Sequence, residues 1–297
     1  MIDRFLTYLR CELNYSEHTV RAYGSDLNML ADFLTGGKPE EFDPASVTLG
    51  DLRAWIAHQG EKNLSARTLR RRTLAARTFF HYLRLTGLIE RNPAADLSLP
   101  RLPQPLPVFI RDAELERILS PEAFDTEDFR EFRDKLIIEL LYGTGMRRAE
   151  LLSLLDRDLD TVTGEVKITG KRNKQRIVPL GPRLCAHIDR YRCLRLREFP
   201  DTGCEAFLLS EKGEEMNNST LSSVVKIQLA STSSARKTPH VLRHSFATAM
   251  LQGDARLDSV KELLGHSSLA TTQIYTHLSF SELQHNYQHA HPRASKK

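Results

Sequence analysis

The run Leu97-Ser-Leu-Pro-Arg-Leu-Pro-Gln-Pro-Leu-Pro107 divides the chain. Its prolines, Pro100, Pro103, Pro105 and Pro107, fix φ and withhold backbone donors, so no helix passes through and an extended polyproline form is favoured. The run reads as a semi-rigid linker, 97–107, between an N-terminal domain, 1–96, and a C-terminal domain, 108–297, because the style of sequence changes across it. The length of 297 residues agrees with two domains of ~150 residues each. A chain of that length buries enough surface to fold without a disulfide or a structural metal.

With 40% hydrophobic and 27% charged residues, the composition is that of a globular protein and not of a disordered one. No apolar run approaches the ~18 residues of a membrane span, and Met1-Ile-Asp-Arg-Phe5 lacks a signal-peptide core, so a cytoplasmic protein without membrane insertion is expected. Cys11, Cys185, Cys193 and Cys204 are scattered, with no C-x-x-C pair. That spacing excludes the common zinc modules and fits a reducing compartment. The formal net charge of +4, with 11 histidines, is compatible with a nucleic-acid partner but too small to establish one.

Upstream of the linker the sequence has the spacing of short amphipathic helices. Ile2, Phe5, Leu6 and Leu9 share one face, as do Val20, Tyr23, Leu27, Leu30 and Leu34. Thr48 is placed to cap a helix carrying Leu52, Trp55 and Ile56, and Ser65 to cap the next. On that next helix Arg67, Arg70, Arg71 and Arg77 fall on one side and Leu69, Ala76, Phe80 and Leu83 on the other, with Arg72 and Leu74 out of pattern. A basic face is most often only solvated. Four arginines without interleaved acids suit phosphate contacts better, so DNA binding is expected here.

Downstream, helical patterns return around a single β signal. Val166 and Ile168 precede, and Ile177 and Leu180 follow, the basic turn Gly170-Lys-Arg-Asn-Lys174. This reads as a hairpin presenting Lys171, Arg172 and Lys174 at its tip. The stretch Tyr142-Gly-Thr-Gly-Met-Arg-Arg-Ala-Glu-Leu151 places Gly143 and Gly145 before Arg147. It is read as an open helix start suited to an anion. His240 and Arg243 stand in His240-Val-Leu-Arg-His-Ser-Phe246. His-x-x-Arg occurs four times in the chain (His18/Arg21, His81/Arg84, His187/Arg190, His240/Arg243), so that spacing means nothing alone. His240 and His244 have the separation of two zinc ligands, but Val241 replaces the usual glutamate and no third ligand is evident. No metal site is expected.

Taken together, several runs resemble the tyrosine recombinases, and within them the bacterial Xer type. They are Pro239-His-Val-Leu-Arg-His-Ser-Phe-Ala-Thr248, Leu263-Leu-Gly-His-Ser-Ser-Leu-Ala-Thr-Thr-Gln-Ile-Tyr-Thr-His277, the basic hairpin and the ending His291-Pro-Arg-Ala294. The resemblance spans nearly the whole chain. It implies a mainly α fold with a small β-hairpin or sheet: a two-domain DNA clamp with an N-terminal helical core-binding domain and an α+β catalytic domain. Position by position it implies six catalytic residues: Arg147, Lys171, His240, Arg243, His266 and the nucleophile Tyr275. Arg172 departs from the small residue usual after the hairpin lysine, which leaves open whether Lys171, Arg172 or Lys174 reaches the leaving group.

These residue types suit metal-free DNA cleavage. Two arginines can hold the non-bridging oxygens of a phosphorane. A phenol with a pKa of about 10 needs a base such as His240, and the leaving 5′ oxygen needs an acid such as Lys171. No cofactor is implied, and neither a Walker-type nor a dinucleotide-binding glycine motif is present. Glu150 is read as orienting Arg147, and His244 and His277 as packing residues or residues that support their neighbours by hydrogen bonds, outside the chemistry. The resemblance further implies strand exchange in a tetramer with a second Xer-type recombinase, resolution of chromosome dimers and, as a further partner, a DNA translocase. A phage or transposon integrase, or a DNA-binding protein that does not cut, are the alternatives. Phe280, Leu283 and Tyr287 form an apolar stripe on a terminal helix, too short to stand alone. By the same resemblance that helix docks on the next protomer.

Overall fold

A computed structural model describes residues 1–62, 64–100, 102, 108–170, 174–265 and 280–294, the side chains of 280–283 and 285 excepted. The chain divides into two compact units, Met1–Pro105 and Leu106–Lys297.

Among its described residues the first unit holds four α-helices, α1 (Ile2–Cys11), α2 (Glu17–Leu34), α3 (Leu49–Glu61) and α4 (Ala66–Leu85). The starts of α2, α3 and α4 are set by side chains that accept otherwise orphaned backbone N–H groups. Ser16 accepts from Thr19 and Ser65 from Thr68, while Thr48 and Asp51 form a reciprocal capping box. The apolar stripes converge: Phe5, Leu9, Val20, Leu27, Leu30, Trp55, Phe80 and Leu83 are buried in one core. Leu97, at the head of the proline run, is buried in the same core.

The second unit is built around α6 (Phe129–Thr144), with α8 (Pro182–Glu198), α9 (Asn218–Gln228) and α10 (Pro239–Gln252) packed against it. Around these lie α5 (Asp112–Ile118), α7 (Arg148–Leu152), α11 (Leu257–Leu264) and α12 (Phe280–Ala290). α6 is buried through Leu136, Ile137, Leu140 and Leu141, and two of its charges, Arg133 and Glu139, are enclosed with them. Arg133 pairs with Asp134, and Glu139 accepts from Arg293 at 2.5 Å and lies 2.6 Å from His187 Nδ1. Burial alone would raise the Glu139 carboxyl, yet His187 and Arg293 hold it below its ordinary value.

A three-stranded antiparallel sheet, β1 (Leu159–Asp160), β2 (Glu165–Thr169) and β3 (Gln175–Pro179), contains the expected hairpin. Of the two apolar residues read after the turn, Leu180 is buried and Ile177 is not, so the even-numbered positions of the return strand face inward. Val166, Ile168 and Val178 face the core, whereas Ile177 is 43% exposed. Because side chains alternate along a strand, the inward neighbour of Val178 is Arg176, which pairs with Ile168 across the ladder.

α12 packs on α10, α11 and β3 of its own domain, with Tyr287 and Ala290 in that domain's core. The residues that follow complete the attachment: His291 is buried and stacked on Tyr287, and Arg293 donates to Glu139 and to the Leu119 carbonyl. Within the chain the tail thus supplies a cation to the enclosed Glu139. Among the described residues no helix is long and apolar enough to cross a membrane.

Removing that cation leaves a buried carboxylate under-compensated. Arg293→Ala should therefore lower the unfolding free energy by about 3–5 kcal/mol in urea titration. A loss below about 1 kcal/mol, the size of an exposed pair, would mean that the tail is not anchored through Glu139.

Candidate active site

Two helix ends create the site. α6 terminates at Gly145, whose φ of +61° favours glycine, and a Cβ there would fall 2.5 Å from Phe246 and 2.9 Å from the Leu264 side chain. α11 terminates in the same way at Gly265, φ +64°. The carbonyls at these ends point at arginines. Arg243, 6% exposed on α10, donates from Nη1 to Gly145 O at 2.7 Å and from Nη2 to Leu264 O at 2.6 Å. Arg147 donates from Nη2 to the adjacent carbonyl, Gly265 O, at 3.3 Å. A helix C-terminus carries partial negative charge, so each contact is electrostatic as well as directional.

Arg243 remains cationic at neutral pH. Burial, then the nearness of Arg147 and Arg176, push the Arg243 guanidinium down to about 10. Repulsion among three guanidiniums is relieved by one carboxylate, Glu150 on α7, which is 5% exposed. Its Oε1 accepts from Arg147 Nη1 at 2.8 Å and Arg176 Nη1 at 3.0 Å. Its Oε2 accepts from the Arg147 backbone N–H at 2.8 Å and Arg176 Nη2 at 2.7 Å. Burial would raise this carboxyl, but the donors from Arg176 and Arg147 outweigh it and bring it down to about 2. Arg176 also donates from Nε to Leu263 O at 2.7 Å, so β3, α7 and the end of α11 meet at one residue.

Glu150 thus orients Arg147, as its spacing indicates, but the helix start is not the open anion site read from sequence. Gly143 lies inside α6, Gly145 ends that helix, and the Arg147 N–H is already taken by Glu150. His240 is exposed in the first turn of α10, its ring 4.4 Å from that of His244 and inclined at 63°. His244 is exposed rather than packed. Among the described residues no group of histidines, cysteines and carboxylates could hold a metal. Lys174 is exposed at the base of the hairpin tip, where its carbonyl accepts from the Gly170 N–H at 2.7 Å. Lys171, Arg172, His266, Tyr275 and His277 lie outside the described residues.

In the first unit the arginines of α4 separate into two kinds. Arg71 donates to the Ala22 carbonyl and to the fully buried Asp26, and Arg72 turns inward to Gln59 and Asp26. These two hold α4 to its neighbours. Arg70 is half-buried and reaches the Pro100 carbonyl, Arg77 is half-buried and Arg67 is exposed. Among the described residues, no carboxylate pairs with Arg67 or Arg77.

Comparison with known proteins accounts for this pairing of fold and site. A model of the phage integrase family matches residues 109–282, and a model of the phage integrase N-terminal SAM-like domain matches residues 2–87. The chain belongs to that family, the tyrosine recombinases, and is a site-specific recombinase that cleaves and rejoins DNA. It is similar to proteins named tyrosine recombinase XerC. That of Chlorobaculum parvum is 35% identical, covering 99% of this chain and 94% of the relative. That of Oceanobacillus iheyensis is 36% identical, covering 99% and 96%. Among solved structures, XerH recombinase in a post-cleavage complex with its palindromic difH substrate has a TM-score of 0.70 at 23% identity, covering 97% and 83%, a likeness of fold.

Sequence reasoning missed Arg176. The signal was the strand alternation: aligning Arg176, Val178 and Leu180 on one face, instead of Ile177, places an arginine inward.

The depressed carboxyl of Glu150 has a pH signature. Its folded value, about 2, lies below its ordinary 4.5, so its stabilisation is complete above 4.5 and is lost as pH falls towards 2. Urea unfolding across that window should give a shallower pH slope for Glu150→Gln than for the wild type. Equal slopes would mean that the guanidiniums do not hold the carboxylate.

Proposed function

We propose that the six residues implied by the resemblance perform the cleavage, and that the chain resolves chromosome dimers as a Xer-type recombinase. The observation that carries the reading is the meeting of Arg147 and Arg243 on consecutive carbonyls, Gly265 O and Leu264 O, immediately before His266 in the chain. Two guanidiniums from distant segments are thereby held side by side before any substrate arrives, one of them 44% exposed. A non-bridging phosphate oxygen gains most from donors already fixed where charge will develop.

In the proposed reaction the Tyr275 phenolic oxygen forms a bond to phosphorus as its proton passes to His240. Arg147, Arg243 and His266 donate to the non-bridging oxygens. The bond from phosphorus to the 5′ oxygen breaks, and that oxygen takes a proton from Lys171, or from Arg172 or Lys174 beside it. The 3′-phosphotyrosyl bond keeps the energy of the phosphodiester, so a 5′ hydroxyl of another strand reseals it without a cofactor. Tyr142, Tyr191 and Tyr287 make poor alternatives to Tyr275 in this unit. All three are buried, and burial pushes their phenols above the usual range, Tyr191 to about 12.

Residues 1–96 are the proposed core-binding domain, joined by 97–107 to a catalytic domain from 108. DNA contacts are assigned to Arg67, Arg70 and Arg77 on α4 and to Arg172 and Lys174 on the hairpin. Arg71 is the weakest member of the original set, given its bond to Asp26. The proposed working assembly is a cytoplasmic heterotetramer with a second Xer-type recombinase, activated by a DNA translocase.

Tyr275→Phe removes a single oxygen. Binding of the recombination site should persist while covalent protein–DNA adducts on a nicked suicide substrate disappear, and adducts that still form would disprove the nucleophile. On α4, replacing Arg67 or Arg77 by Ala should flatten the salt dependence of DNA affinity by about one unit of log–log slope each. Slopes equal to wild type for both variants would return that face to solvent.

A further inference from the structure

We propose that Arg176 is a positioning residue that acts by charge: it neutralises Glu150, so that Arg147 faces the scissile phosphate as a net cation. This inference rests on the reading of Arg147 as a phosphate ligand.

The geometry is asymmetric. Arg176 is 11% exposed and Glu150 5%, whereas Arg147 is 44% exposed. Arg176 meets Glu150 with both prongs, Nη1 on Oε1 and Nη2 on Oε2. Arg147 offers only one guanidinium nitrogen to Glu150, Nη1, and gives Nη2 to Gly265 O. The inner pair is therefore Glu150–Arg176, and Arg147 rests on its outer side.

Removing Arg176 changes the account. Glu150 stays enclosed, and the remaining contacting cation is Arg147. A buried carboxylate facing one guanidinium forms a close ion pair that is neutral at a distance. The guanidinium would then be drawn towards Glu150 and offer little field to an incoming phosphate oxygen. With Arg176 present, the carboxylate is shared by two cations and the positive excess lies on the more exposed one. The contact of Arg176 Nε with Leu263 O keeps its guanidinium in place without drawing on Glu150. The inward parity of β3 serves this contact, since an outward Arg176 could not reach α7.

A tether between β3 and α7 would use the same bonds, but the two roles respond differently to neutralisation of the partner. The full-length chain is assayed for the rate of covalent adduct formation on a nicked suicide substrate, and for affinity on an intact site. Arg176→Gln should slow adduct formation by about tenfold or more, the equivalent of one lost charge-assisted contact, with affinity changed much less. Adding Glu150→Gln to it should bring the rate back to within about threefold of the Glu150→Gln single variant, because no carboxylate is left to neutralise Arg147. Arg176→Lys, which keeps the charge but not the two-pronged contact, should retain a rate within about threefold of wild type.

A double variant more than about threefold slower than the Glu150→Gln single variant, or a lysine variant as slow as Arg176→Gln, would overturn the proposal in favour of a tether. A wild-type rate in Arg176→Gln would overturn it as well. If Arg176→Gln does not fold, as read by thermal unfolding, the lysine variant alone decides. Arg147→Gln tests the underlying reading separately: a wild-type rate there would remove Arg147 from the reaction, whatever Arg176 does.

Discussion

The Glu150 carboxylate lies out of solvent among guanidiniums, and the site's geometry follows from satisfying it. An enclosed carboxylate is tolerated only when its oxygens are paired and hydrogen-bonded. Glu150 accepts four donors, two from Arg147 and two from Arg176. Those bonds fix the first turn of α7, the inward face of β3 and, through Arg176, the Leu263 carbonyl at the end of α11. Three elements far apart in sequence are thereby placed against one another by a single charge.

Carbonyls at helix ends complete what one carboxylate cannot. Arg243 is held by Gly145 O and Leu264 O, at the ends of α6 and α11. A carbonyl dipole stabilises a cation without cancelling its net charge, as a second carboxylate would. The cluster therefore stays positive while its members are immobilised. That is the arrangement required for a transition state that gains negative charge, since the donors need no reorganisation when the charge appears. Rigid helix ends also place them more accurately than a loop does.

Much of this was readable from sequence because local rules held. The N-caps at Thr48 and Ser65, the stripe Ala76–Phe80–Leu83 and the existence of the hairpin all follow from spacing and turn chemistry. The pairing of Glu150 with Arg147 is a three-residue separation on a helix start, also local. Failures came where a long-range partner overrode the local pattern. Ile177 looked like the apolar member of its strand, but the inward register belongs to Arg176 because Glu150 awaits it. Arg71 looked like a surface cation, but Asp26, 45 residues away in sequence, claims it. Spacing gave α12 an apolar face but not the surface it meets; within the chain, Arg293 just beyond the helix pairs with Glu139, enclosed on α6.

The cost of the cluster explains why it sits where it does. Lowering Arg243 from 12.5 to about 10 means that the folded protein disfavours this cation by roughly 3 kcal/mol relative to water. That is a large fraction of the net stability of a domain, about 5–15 kcal/mol. It is tolerable only next to an element with a large apolar surplus, and α6 is that element, enclosed from Leu136 to Tyr142. The same helix ends in the Gly145 turn that offers Arg243 its carbonyl. Placing the turn at the end of the most buried helix makes it rigid, because shifting Gly145 would drag Leu140 and Leu141 out of the core. The apolar packing of α6 thus both offsets the charge and fixes its direction, which a surface helix could not do.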